Sequence, residues 1–336
     1  MSKLKCVELF AGAGGLALGL EKSGFEAIAL NEIDAKACAT LRLNRPQWNV
    51  LEQDIIKLSD ENLTELFEVR KGDLDLLSGG YPCQSFSYAG LRRGMDDIRG
   101  TMFYYYSIFL DKLQPKMFLA ENVRGLVTHD DGKTLQTMLS VFENMGYETT
   151  YKILNANNYG VAQKRERIVI IGVRKDLSGS IHFEYPKPLD YKPVLRDILM
   201  NVPPSDGEQY KESKKAIMDL VPPGGCWRDL PPEMAKAYMK GSYYLGGGKT
   251  GMARRLSFNE PSLTLTTSPA QGQTERCHPS ETRPLTIREY ARIQSFPDDW
   301  NFVGSRANQY KQIGNAVAVE FAYHIGLAIK KALKGE

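Results

Sequence analysis

The chain has 336 residues, 42% apolar and 25% charged, with a net charge of +3. That length fits one large domain or a large one with a small one, and no apolar run approaches the roughly 20 residues that span a bilayer. So small a net charge excludes a uniformly basic surface, so any phosphate-binding face must be local, as at Arg92-Arg93, Lys164-Arg165 with Arg167, and Arg254-Arg255.

The chain runs straight into a short apolar strand, Lys5 to Phe10, with no basic, apolar, small-residue leader pattern, which reads as a cytoplasmic protein. A glycine-rich turn follows. Leu16 to Ser23 reads as a helix stopped by Gly24, and Glu26 to Leu30 as a second strand. Asp34 to Leu43 has helical spacing and ends before Pro46, and Asp54 falls near the end of a third strand. Asp75 to Leu77 is a short strand before Ser78-Gly79-Gly80. Thr101 to Leu113 is an aromatic-rich helix, Met117 to Ala120 a strand, Leu135 to Met145 a helix and Arg167 to Val173 a strand. This alternation predicts an α/β fold with a mostly parallel, doubly wound sheet over residues 1–200. Residues 201–282 carry Pro203-Pro204, Pro222-Pro223-Gly224-Gly225, Pro231-Pro232 and Gly246-Gly247-Gly248 with weak periodicity, which predicts a smaller, loop-rich domain. Ile287 to Gln294 and Val319 to Leu333 are helical again.

The five cysteines are scattered, with no CxxC pair, which argues against a disulfide framework and a zinc site. Cys6 and Cys38 read as core residues, and Cys277-His278 lacks partners at metal spacing, so no metal is expected.

Phe10-Ala11-Gly12-Ala13-Gly14-Gly15 joins a strand to a helix, where glycines let backbone approach a ligand closely. By itself such a loop is weak evidence, with a tight strand-to-helix turn as the competing reading. Glu32 follows the second strand, where an acid accepts hydrogen bonds from ribose hydroxyls. The position after Gly14-Gly15-Leu16 is Ala17, so GxGxxG is absent, which disfavours a pyrophosphate and fits a nucleoside with another kind of tail. Asp54 is placed to accept from an adenine amino group, or else caps a turn.

Cys83 lies in a Gly/Pro loop, Ser78 to Gln84, just after a strand, where a thiol is exposed and open to activation. An inert surface thiol is the competing reading. The stretch from Ser85 to Gly100 is rich in Gly, Arg and Ser and reads as a mobile loop. Glu121-Asn122-Val123 follows the next strand, and ends of parallel strands share one edge, so Cys83 and Glu121 converge. Gln163 to Arg167 enters another strand, with Arg165 and Arg167 on one face by the two-residue period.

In this order the segments resemble the cytosine carbon-5 DNA methyltransferases of the bacterial modification-methylase type. They are Phe10 to Gly15, Glu32, Asp54, Pro82-Cys83-Gln84, Glu121-Asn122-Val123, Gln163 to Arg167, Arg288 to Arg292 with Phe296-Pro297-Asp298, and Gln312 to Val317. The set spans nearly the whole chain. The resemblance implies transfer of a methyl group from S-adenosylmethionine, leaving S-adenosylhomocysteine, to carbon 5 of a flipped-out cytosine in a short duplex DNA site. Cys83 would be the nucleophile, with Glu121, Arg165 and Arg167 as catalytic partners. It also implies a pocket in which Phe10 lies against adenine beside the Ala11, Gly12, Gly14 and Gly15 turn. Glu32 would meet the ribose, with Ile33 beside the adenine and Asp54 on its amino group, and Ile55, Met102, Asn315 and Val317 would line the walls. Gln84, Ser87, Arg92, Arg93 and Arg99 would contact DNA from a closing loop. Residues 201–282 would recognise the target, with Arg254, Arg255, Gln271, Gln273 and Arg276 offering donors to base edges. Residues 283–305 would form a hinge and 306–336 would return to the catalytic domain. Expected partners are double-stranded DNA and a cognate restriction endonuclease, with no membrane and a monomeric state. A tRNA cytosine-5 methyltransferase is the nearest alternative, which the long region before Arg283 disfavours. Intact Cys83, Glu121 and Arg167 argue against a binding protein without catalysis, and the missing GxGxxG against a nicotinamide oxidoreductase.

Overall fold

The computed structural model describes residues 3–82, 101–245 and 250–336. Strands β1 (Leu4–Leu9), β2 (Phe25–Glu32), β3 (Val50–Glu52), β4 (Leu76–Gly79), β5 (Met117–Val123), β6 (Tyr147–Asn155) and β8 (Glu166–Arg174) form one sheet in the order β3-β2-β1-β4-β5-β8-β6. Neighbours from β3 to β5 are parallel, and β8 runs antiparallel to both β5 and β6. The parallel strands read as nearly continuous apolar runs because both faces of the sheet are covered. Leu9 pairs with Gly79, and Gly79 with Ala120. The residues that follow these three (Phe10, Gly80 and Glu121) therefore emerge along one edge, the usual ligand edge of such a sheet.

Helices α1 (Gly15–Ser23), α2 (Ala35–Asn44), α3 (Ile55–Leu58), α4 (Leu63–Leu66), α5 (Met102–Leu113) and α6 (Lys133–Asn144) belong to the first half. On one face, Phe103, Tyr106 and Phe109 of α5 and Phe142 of α6 pack with Phe118 of β5. On the other, Leu16 and Leu20 of α1 meet Phe321, Ile325 and Ile329 of α12 (Val319–Lys334). Those two helices touch through small residues. A Cβ on Gly19 would lie 2.4 Å from that of Ala322, and one on Gly326 would lie 2.3 Å from Ser23 Oγ.

Between the halves come α7 (Leu195–Ile198), α8 (Glu212–Met218), α9 (Pro232–Met239), the short strand β9 (Ser262–Leu263), α10 (Ile287–Ile293) and α11 (Arg306–Asn315). Met218, Val221, Leu230, Ala235, Ala253 and Cys277 form a separate small core here. Leu256 and Leu265 pack elsewhere, with Leu285, Tyr290 of α10 and Tyr310 of α11. Among the described residues no helix is long and apolar enough to cross a membrane.

Three elements depart from the sequence reading. The strand β6 was not anticipated: most of its residues are exposed, and Glu148, Thr149, Thr150 and Lys152 break up its apolar signal. Helix α11 has few apolar residues and is held instead by a Ser305–Asn308 capping box. Gln163 to Arg167 is not one strand. Gln163-Lys164 (β7) pairs with Ser262-Leu263, and Arg165 turns the chain before β8 begins.

Candidate active site

The sheet edge opens into a cavity of about 1000 Å³. Its floor is the turn after β1. Phe10 takes a left-handed backbone conformation, φ 58°, which costs a non-glycine residue energy and recurs at functional sites. Ala11 N donates to Asn31 O at 3.0 Å, and Gly12 N donates to Glu32 Oε2 at 2.7 Å. Glu32 Oε1 accepts from the N–H groups of Ile33 and Asp34, at 2.9 and 2.8 Å. One carboxylate thus fixes the β1 turn against the end of β2 while lining the cavity with Phe10, Ala11, Gly12 and Ile33.

Gly14 and Gly15 are not among the residues that line the cavity. A Cβ on Gly14 would meet Leu41 at 2.6 Å, and one on Gly15 would meet the Val317 carbonyl at 2.0 Å. They are glycines so that α1 can seat against α2 and the turn before α12. Asp54 lines the cavity and also caps α3, accepting from Ile56 N at 2.9 Å, so the two readings of it coexist. Ile55, Met102, Asn315 and Val317 complete this part of the wall.

At the β5 end, Glu121 is 9% exposed and its Oε1 lies 2.9 Å from Arg167 Nε, an ion pair without an aligned hydrogen bond. Gly80 leaves room for this carboxylate: a Cβ there would lie 3.1 Å from Glu121 Oε2. Asn122 Nδ2 donates to Tyr81 O at 2.9 Å, and buried Tyr81 packs on Phe103 and Tyr106. The backbone entering Pro82 is therefore tied to β5. Cys83, Gln84, Ser87, Arg92, Arg93, Arg99 and the Ser85 to Gly100 loop lie outside the described residues.

Arg165 lines the same cavity but points its guanidinium into the protein. Nη1 donates to Leu265 O at 3.4 Å, and Nη2 to Gly314 O at 3.1 Å and Ala316 O at 3.0 Å. Burial, with the charge of Arg167, pushes it down to about 9, still protonated at neutral pH. Two glutamines that were given no role from the sequence complete the node. Gln163 Oε1 accepts from Leu265 N at 2.9 Å, and its Nε2 donates to Gln294 at 2.9 Å. Gln294 Nε2 donates to Ile313 O at 2.8 Å and Ala316 O at 3.1 Å. The node joins the reactive strand edge, the Asn315–Val317 wall and the Leu265–Thr267 segment, which also lines the cavity.

Arg255 and Arg276 are not free to read bases. Arg255 is 5% exposed and donates to the carbonyls of Met218, Val221, His278 and Glu281 and to Thr282 Oγ1. Arg276 is 4% exposed, with Nη1 and Nη2 on the carbonyls of Glu275 and Thr264. Loop-rich segments have few regular backbone bonds, and these arginines supply donors in their place. Arg254 is largely buried, 3.9 Å from Glu260. Gln271 and Gln273 are exposed, on the loop that follows Thr267.

The arrangement offers carboxylates at one end of a deep cavity, as ribose and adenine groups require, and a carboxylate–guanidinium pair at the other. The residues fit an adenosine cofactor with a reacting group beyond it. Residues 4–331 match the family model described as C-5 cytosine-specific DNA methylase. Among curated relatives, the type II methyltransferase M.Sau96I of Staphylococcus aureus is 60% identical over 324 residues, 96% of this chain and 74% of that one. M.PspPI of Psychrobacter sp. (strain TA137), also a type II methyltransferase, is 56% identical over 335 residues, 97% and 79% of the two chains. The fold is shared with Spodoptera frugiperda DNMT2, at a TM-score of 0.67 and 18% identity over 97% of this chain and 99% of that one. The chain belongs to the C-5 cytosine-specific DNA methylases, S-adenosylmethionine-dependent enzymes that methylate cytosine carbon 5 in DNA.

Proposed function

We propose that Cys83, Glu121 and Arg167 carry the reaction on a flipped-out cytosine, with Arg165 as a positioning residue. The observation that supports this best is the Glu121–Arg167 pair, which opens on the cavity shared with Glu32 and Asp54 beside the tethered Tyr81-Pro82 backbone. Carbon 5 of cytosine is a poor nucleophile. Addition of the Cys83 thiolate to carbon 6 breaks ring conjugation and makes carbon 5 enamine-like. Bound S-adenosylmethionine supplies an electrophilic methyl group on a sulfonium. Once carbon 5 has gained the methyl, loss of its proton and elimination of the thiolate restore the ring. Glu121 hydrogen-bonds or protonates the ring nitrogen as charge develops. Arg167 holds the carbonyl oxygen. Inside a duplex carbon 6 is hidden, so the base must leave the stack.

The cofactor is held by Glu32 at the ribose, Asp54 at the adenine amino group, and Phe10, Ile33, Ile55, Met102, Asn315 and Val317 around them. Residues 201–282 select the DNA site, with Gln271 and Gln273 as exposed donors on the loop after Thr267, and 283–305 form the hinge. Relatives named type II methyltransferases support a cognate restriction endonuclease cutting the same site unless it is methylated. We place the enzyme in the cytoplasm as a monomer.

Cys83→Ser is expected to abolish methyl transfer and leave DNA binding largely intact. A duplex carrying 5-fluorocytosine at the target should trap wild-type enzyme covalently when S-adenosylmethionine is present, because fluorine blocks the final proton loss. An active serine variant, or no adduct, would overturn the mechanism.

A further inference from the structure

The wall of the cofactor cavity takes Ile33, Asp34 and Ala37 from the start of α2 and Lys311, Gln312 and Asn315 from α11. Two ties join these helices. The inner one is buried. Thr40 Oγ1 donates to Gln312 Oε1 at 2.7 Å and accepts from Val303 N at 2.8 Å, and Gln312 Nε2 donates to Val303 O at 2.8 Å. A buried network satisfied in this way is rigid, and it fixes the spacing of the two helices.

The outer tie is of another kind. Lys311 Nζ donates to Asp34 Oδ2 at 3.1 Å, with the two side chains 54% and 33% exposed. Asp34 is held in place from behind. Its Oδ1 caps α2 by accepting from Lys36 N at 2.9 Å and Ala37 N at 3.3 Å, and its own N–H donates to Glu32 Oε1 at 2.8 Å. Lys311, on a flexible four-carbon stem, is the partner free to swing. Ile33 is 65% exposed although it lines the cavity, so this rim faces solvent. An ion pair in such a setting contributes little to folding and is easily parted.

We propose that Asp34 and Lys311 form a strap across the rim of the cofactor cavity, which opens to admit S-adenosylmethionine and to release S-adenosylhomocysteine. The proposal rests on the cofactor placement above. In that placement a flipped cytosine fills the Glu121–Arg167 end, and the rim between α2 and α11 is the side left for exchange. A strap that closes equally well with and without ligand multiplies association and dissociation rates by the same factor, the fraction of time it is open. That factor cancels from the affinity. A side chain that touched the ligand would change the affinity instead.

Binding kinetics of S-adenosylhomocysteine on immobilised enzyme, read by surface plasmon resonance, test it. Lys311→Met keeps the stem without the charge, and Asp34→Asn keeps an oxygen to cap α2. Each is expected to speed association and dissociation alike, by roughly two- to fivefold, with the dissociation constant unchanged. The double variant should be no faster than either single one, because the same pair is broken in all three. Raising salt from about 0.05 M to about 0.5 M should speed both rates in wild type and neither in the variants, since salt screens the pair and the zwitterionic ligand carries no net charge. Unchanged rates in the variants would overturn the strap. So would faster release at unchanged association, which would make the pair a ligand contact. Should the variants fail to fold, wild-type rates that stay flat across the salt range would overturn it equally. Loss of affinity in Glu32→Ala beside any of these failures would leave the cofactor placement standing, whereas unchanged affinity there would overturn the placement and the strap together.

Discussion

Glu32 shows how much one side chain holds at this site. Its two oxygens already accept three backbone N–H groups, from Gly12, Ile33 and Asp34, before any ligand arrives. Glu32→Ala is therefore expected to weaken S-adenosylhomocysteine binding in two ways, by losing the ribose acceptor and by freeing the β1 turn. Hydrogen bonds to a charged group contribute about 1.5–3 kcal/mol each, so losing two lowers affinity roughly 100-fold or more. Calorimetry measures the affinity, and an unchanged dissociation constant would remove Glu32 from the site. That Glu32, Asp54, Glu121 and Arg167 would meet along one cavity was legible because their chemistry and their place at strand ends are both written in the sequence. Arg255 and Arg276 were not. An arginine in a proline- and glycine-rich stretch looks the same whether it faces DNA or satisfies buried carbonyls, and only the packing around it decides.

At the scale of the element, α1 is decided by what it packs against. Gly15 and Gly19 weaken a helix intrinsically, and they persist because α12 and the turn before it approach so closely. A Cβ at Gly15 would lie 2.0 Å from the Val317 carbonyl, and one at Gly19 would lie 2.6 Å from the Val319 carbonyl. Both contacts are to backbone, which cannot rotate away. Gly15→Ala and Gly19→Ala are each expected to cost about 1–3 kcal/mol, the usual penalty of overpacking. Only Gly15→Ala should also weaken S-adenosylhomocysteine binding, because Val317 lines the cavity. Thermal melts and calorimetry on both variants separate the effects. Were Gly15 a ligand-contacting glycine, its alanine variant would lose affinity at unchanged stability. The strand-to-helix turn itself was evident in the sequence, but the partner of α1 lies some 300 residues away by number, beyond any local pattern.

At the scale of the whole molecule, chemistry and selectivity separate. In the proposed mechanism Glu121 and Arg167 meet one base, and every cytosine looks the same to them, so discrimination would come from neighbouring base pairs. The small core around Met218 and Cys277 lies apart from the sheet, while the Leu265–Thr267 segment joins this region to the reactive edge through Arg165 and Gln163. The loop beyond Thr267, which itself lines the cavity, exposes Gln271 and Gln273. A glutamine that hydrogen-bonds both the donor and the acceptor of adenine in the major groove discriminates by about 1–3 kcal/mol per contact. Gln271→Ala and Gln273→Ala are therefore expected to widen the set of methylated sites by relaxing one position each, read by bisulfite sequencing of DNA from expressing cells. Arg255→Ala should behave differently. It removes a donor from five acceptors, three of them in buried contacts, so it is expected to lower the melting temperature and reduce methylation at every site without changing the site. Grafting residues 201–282 of a relative with another target should carry that relative's site preference with it. The decisive contrast lies between the glutamines and the arginine. Uniform loss from Gln271→Ala and Gln273→Ala, with the site unchanged, would mean that this loop only grips phosphate. A chimera still methylating the original site would put sequence recognition outside residues 201–282 altogether.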